Sequence, residues 1–94
     1  MTYYYGSQLE NPYCGGKTPT DNDMVVAVPK GSPAKCGDKV HLHYNGKMVE
    51  ATVVDRCGGC KNKYSVDATK GVFKKLAALD VGVLNPIHMR VLGQ

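Results

Sequence analysis

The sequence predicts a small, mainly β barrel-like domain with one short helix, held by two disulfides. Three observations predict it. Short apolar or alternating runs recur between loops rich in Gly, Pro, Asn and Asp, and an Asn45-Gly46 pair separates two of them as a tight hairpin would. Four cysteines in 94 residues suit a scaffold whose core needs covalent support. Many short strands with a single helix favour a closed β architecture over layered α/β.

Thr2 to Gly6 is an aromatic run with strand preference, and the following "LENPYCGGKTPTDND" has loop composition. Met24 to Val28, "MVVAV", reads as a buried strand ending at Pro29. After the loop "PKGSPAKCGD", Lys39 to Tyr44 alternates Val40, Leu42 and Tyr44 with His41 and His43, the period of a half-buried strand. Asn45-Gly46 then predicts a type I′ turn, which needs positive φ at both positions, with Met48 to Asp55 as the return strand. Tyr64 to Asp67 forms another short strand. Thr69 caps a helix through Leu76, with Val72, Phe73, Leu76 and Ala77 on one face. Gly71 weakens that helix by roughly 1 kcal/mol relative to Ala, so packing must hold it. Ile87 to Leu92 supplies the last strand.

The length bounds the chain to one domain, residues 1–94. No stretch approaches the roughly 20 apolar residues of a membrane helix, and Met1 is expected to stand where a cleaved leader has been removed. A formal charge of +4 gives a mild positive bias. Lys61, Lys63, Lys70, Lys74 and Lys75 lack an aromatic ladder between them and read as solvated surface, so no nucleic acid is expected.

The segment "VVDRCGGC", Val53 to Cys60, carries the chemistry. A structural zinc site would combine Cys57 and Cys60 with His41, His43 or His88, but Cys14 and Cys36 have no close companion, so no metal is expected. A redox Cys-x-x-Cys needs a helix N-terminus, whereas Gly58 and Gly59 lead into polar loop. Disulfides remain, with three pairings open. A Cys14–Cys57 link enclosing roughly 40 residues is worth roughly 4 kcal/mol in the chain-entropy model, while Cys57–Cys60 constrains almost nothing, which favours long-range pairing. All four thiols then have disulfide work, leaving no nucleophile. Asp55 ends a strand and Asp67 precedes the helix; each is either a boundary residue bonded to backbone amides or part of a site.

The stretch "VVDRCGGCKNKYSVDATKGVFKKLAALDVGVLNPIHMRVL", preceded by "TYYYG", "YCGG" and "AKCGDKVHLHYNGKMVEATVVD", resembles the double-psi β-barrel proteins of the expansin, loosenin and barwin group. The resemblance implies a six-stranded double-psi β-barrel and the disulfide pairs Cys14–Cys57 and Cys36–Cys60. It places Asp67, in "SVDAT", at the acidic groove residue that serves as catalytic acid in family 45 glycoside hydrolases, and Asp55 at the second groove aspartate. Tyr3, Tyr4, Tyr5, Tyr64 and Arg56 are the implied sugar-binding residues. The hydrolases carry their base on the first strand, where this chain offers only tyrosines, and Glu10, Asp21 and Asp23 lie outside the motif. Hydrolysis needs both acid and base, so it is not expected. The resemblance is to the barrel domain, so any sugar contact is expected to come from the barrel groove and not from the carbohydrate-binding domain of full expansins. The implied protein is secreted and monomeric and needs no cofactor. It binds cellulose, chitin or a related cell-wall glucan in a groove and loosens it without cutting. The alternative is a barwin-like inhibitor of papain-type cysteine proteases, which would act through exposed loops.

Overall fold

The computed structural model describes residues 1–58, 60, 65–85 and 87–92. Six strands form one sheet: β1 (Thr2–Tyr3), β2 (Val25–Val28), β3 (Lys39–Tyr44), β4 (Lys47–Arg56), β5 (Asp67–Ala68) and β6 (His88–Val91). One helix, α1 (Lys70–Leu76), follows β5, and 3-10 turns occupy Gly6–Leu9 and Leu79–Val81. The strand order is β1-β5-β2-β4-β3-β6. β1 runs parallel to β5 and β2 parallel to β4, and the remaining pairs are antiparallel. Beyond the paired strands, Met1 and Leu84 exchange two backbone hydrogen bonds of 2.6 and 2.8 Å, which draws the β1 side of the sheet toward the segment entering β6.

The β3–β4 hairpin forms as its sequence dictates. Asn45 and Gly46 adopt φ of 49° and 81°, the left-handed values that a type I′ turn requires. Val40 and Leu42 are fully buried, while the alternate positions face outward. His41 bonds Glu50 on the neighbouring strand through Nε2 and Oε1 at 3.1 Å, and His43 is exposed.

The core gathers Val26, Val40, Leu42, Val53, Val66, Val72, Phe73 and Leu84, all at most 1% exposed. Burying a side chain the size of Phe73 is worth about 2–3 kcal/mol. Its ring meets Tyr3 edge-on at 4.8 Å. The helix begins where Thr69, fully buried, accepts the Val72 N–H at 3.4 Å and donates its own hydroxyl to the Asp23 carbonyl at 2.6 Å. Gly71 has a second reason to be glycine: a Cβ there would stand 3.0 Å from the Asp21 carbonyl oxygen, and its N–H donates to that oxygen at 2.7 Å. Packing against the 21–22 backbone selects a residue that helix propensity alone disfavours.

Cys14 bonds Cys36, and Cys57 bonds Cys60, with Cα separations of 5.5 Å in both pairs. This corrects the expected Cys14–Cys57 and Cys36–Cys60 links. Loop-closure entropy values a bond once formed, but proximity decides which bonds form. The Cys57 turn folds back through a Cys60 N–H to Cys57 carbonyl hydrogen bond of 3.4 Å, which presents Cys60 to its neighbour. The "VVDRCGGC" segment is thus a disulfide-tied turn whose tie lies within the turn. The expected strand at Tyr64 to Asp67 begins only at Asp67, and Tyr64 lies outside the described residues. Among the described residues no helix is long and apolar enough to cross a membrane.

Candidate functional site

Four residues on four adjacent strands share one row. Thr2 pairs with Asp67, Asp67 with Ala27, and Ala27 with Asp55. The row would not exist without an irregularity in β4. Val26 pairs with Val53, yet Ala27 pairs with Asp55, so β4 carries one extra residue, Val54. Strict alternation would send Asp55 to the same side as buried Val53. The bulge re-aims it to the side of Ala27.

All four line an open groove of about 850 Å³, with Tyr4 and Arg56 among its walls. Ala27, 2% exposed, is its floor, and its methyl group leaves the space between the two carboxylates open. With Ala27 between them, the Cα atoms of Asp67 and Asp55 are two strand spacings apart, about 9.5 Å.

The two carboxylates are held differently. Asp55 Oδ1 accepts the backbone N–H groups of Tyr13 and Arg56, both at 2.8 Å, which braces the 12–14 loop against the end of β4. Among the described residues, Asp67 Oδ1 accepts the Thr2 hydroxyl at 2.9 Å. Burial pushes the Asp67 carboxyl above its ordinary value, and the Asp55 charge adds to the rise. The Thr2 hydrogen bond and the Met1 ammonium oppose it. The net effect is that Asp67 holds its proton more readily than a free aspartyl side chain does.

Of the three adjacent tyrosines, Tyr4 lines the groove, because alternation turns Tyr3 and Tyr5 away from it. Tyr4 is 5% exposed, and its hydroxyl has no hydrogen-bond partner. Burial raises the Tyr4 pKa, with the Asp55 and Asp67 charges adding to it, so the phenol stays a donor. Tyr3 packs on Phe73, whereas Tyr5 is half exposed, with the Lys70 ammonium 4.2 Å from its ring centre. The Arg56 guanidinium lies 4.4 Å over the Tyr13 ring. Nothing in the sequence marks Thr2 and Ala27 as groove residues; only strand pairing identifies them. Among the described residues no three His, Cys, Asp or Glu side chains gather as metal ligands would.

No protein-family model matches the chain. Curated relatives do. The chain is 41% identical over 86 residues to the allergen Asp f 7 of Aspergillus fumigatus, covering 87% of this chain and 32% of the relative. It is 32% identical over 100 residues to a papain inhibitor of Streptomyces mobaraensis, covering 93% of this chain and 65% of the relative. The chain therefore spans less than two thirds of each of these relatives. Among solved structures, the Streptomyces papain inhibitor superposes with a TM-score of 0.79 at 29% identity, over 96% of this chain and 87% of that one. A mutant of Clavibacter michiganensis expansin in complex with cellohexaose gives 0.76 at 26% identity, over 97% of this chain and 47% of that one.

Proposed function

Because the chain belongs to the double-psi β-barrel family of expansin-like and barwin-like proteins, we propose that it is a secreted protein that binds a cell-wall glucan in the Asp67–Asp55 groove and loosens it without hydrolysis. The observation that carries the reading is the row Thr2, Asp67, Ala27, Asp55 at the base of an open groove, with one carboxyl biased toward its protonated form. A protonated Asp67 donates a hydrogen bond to a glycosidic or hydroxyl oxygen and competes with the chain-to-chain bonds of the polymer. Tyr4, largely buried, contributes to the wall of the same groove. Asp55, engaged by two backbone amides, keeps the groove edge in place. Tyr64, outside the described residues, remains an expected contact of the same groove.

Loss of polymer cohesion without bond cleavage fits this residue set. Asp55 and Asp67 are the only carboxylates lining the groove among the described residues, and the first strand and the residue after it contribute Thr2 and Tyr4 instead of a base. The expansin neighbour, described in complex with cellohexaose, supports a glucan as ligand. The two disulfides are consistent with an extracellular setting. The test is the tensile weakening of cellulose- or chitin-containing sheets, with soluble reducing ends followed in the same samples. Weakening without sugar release, lost in Asp67→Asn, is the expected result. Full weakening by Asp67→Asn would remove Asp67 from the mechanism.

A second reading has its own support. The papain-inhibitor structure is matched over 87% of its length, against 47% of the expansin. An inhibitor would act through exposed loops and be indifferent to Asp67. Titration of papain separates the two: stoichiometric inhibition that survives Asp67→Asn assigns the protein to the inhibitor class.

A further inference from the structure

Beside the groove lies a second, shallower cleft of about 490 Å³, walled by Pro29, Lys30, Gly31, Arg56, Cys57 and Cys60. The two spaces share Arg56 and the Cys57–Cys60 turn, so a polymer leaving the groove past Arg56 enters this cleft. Their charges differ. The groove has Asp55 and Asp67 facing it, whereas the cleft has Lys30 and Arg56 and, among the described residues, no carboxylate.

Arg56 is prepared for an anion. Its guanidinium carbon lies 4.4 Å from the centre of the Tyr13 ring, a cation–π contact that helps hold the head group in place. Among the described residues no carboxylate stands within ion-pair distance of it, and its Nε is buried without a hydrogen-bond partner. A guanidinium is planar, and its terminal N–H groups suit a carboxylate, which can accept two parallel N–H bonds.

We infer that this cleft is a subsite for an acidic sugar, in which Arg56 receives the carboxylate of a uronate residue and Lys30, which also lines it, adds positive charge. The inference rests on the groove reading and extends it. The polymer that suits the whole surface carries neutral residues across Asp67 and a carboxylate a short distance along the chain, where no aspartate repels it. A purely neutral glucan would leave the Arg56 donors unanswered.

The test measures binding of a galacturonate oligomer and of cellohexaose by calorimetry, at low and at high salt. The proteins are wild type, Arg56→Gln, Arg56→Lys and Lys30→Gln, each checked for folding by its thermal melt. Wild type is expected to bind the acidic oligomer more tightly at low salt and to lose that preference at high salt. The acidic-to-neutral affinity ratio should fall about 10-fold or more in Arg56→Gln, the size of a lost charge-assisted hydrogen bond. Arg56→Lys keeps the charge but not the fork, so its ratio should fall between the two. Lys30→Gln should lower acidic binding severalfold and leave cellohexaose binding alone. Equal affinity for the two oligomers in wild type, or an Arg56→Gln ratio equal to that of wild type, overturns the subsite and leaves the groove reading standing. Binding of neither oligomer overturns both.

Discussion

Replacing Cys14 and Cys36 together by Ala opens the larger of two covalent rings, and replacing Cys57 and Cys60 opens the smaller. The bonded residues are 22 apart in the first pair and 3 apart in the second. In the chain-entropy model these separations correspond to about 3.4 and about 1.6 kcal/mol at 25 °C. A domain of this size loses roughly 4–8 °C in Tm per kcal/mol, so the first variant should melt about 14–27 °C below wild type and the second about 6–13 °C below. Thermal and urea melts followed by circular dichroism read both values. Mapping disulfide-linked peptides in the single variants reads the pairing: Cys14→Ala should free the Cys36 thiol and leave Cys57 bonded. A Cys57/Cys60 double variant that melts as low as the Cys14/Cys36 one would falsify the ring-size reasoning. A free Cys57 in Cys14→Ala would refute the pairing itself.

The raised Asp67 carboxyl makes stability fall as pH rises. Between the ordinary aspartyl value of about 3.9 and the higher folded value, the native state holds a proton that the unfolded chain has released. Asp67→Asn should flatten that slope and melt higher than wild type at neutral pH, in melts collected from pH 3 to 8. Gly71→Ala should destabilise by up to about 2 kcal/mol, because overpacking of about 1–3 kcal/mol against the 21–22 backbone outweighs a helix gain of about 1 kcal/mol. An increase in urea midpoint would show that the segment yields freely. Thr69→Val keeps the shape but removes the cap and the bond to the Asp23 carbonyl, and should cost about 1–3 kcal/mol in the same urea titration.

Much of the fold was legible because local chemistry dictated it. The Asn45-Gly46 turn, the alternation through Leu42 and the Thr69 cap each depend on neighbours within a few residues, and each formed as read. The strand expected over Tyr64 to Asp67 starts at Asp67 among the described residues, and a 3-10 turn at Gly6–Leu9 takes the end of the expected Thr2 to Gly6 strand run and the start of the expected loop. The cysteine pairing failed because it was judged from ring size and likeness, while the Cα separations depend on how distant loops pack. The site was half legible. Asp55 and Asp67 could be picked out by motif, but their meeting depends on Val54 as an extra residue in β4, which nothing in "ATVVDR" announces. Thr2 reaches Asp67 only because β1 lies parallel to β5, a pairing between residues 65 apart.

Ala27 sets two dimensions of the groove in unequal ways. Its width is a count of strands: with β2 lying between β5 and β4, the two carboxylates stand on rails whose gauge no side-chain substitution can alter. Its depth is set by a single methyl group. Point mutation can therefore make this groove shallower by one residue's bulk, and so choose among ligands by thickness. Bringing the carboxylate backbones closer together would take a different topology, so substitution can change the depth of this groove far more easily than the spacing of its two carboxylates.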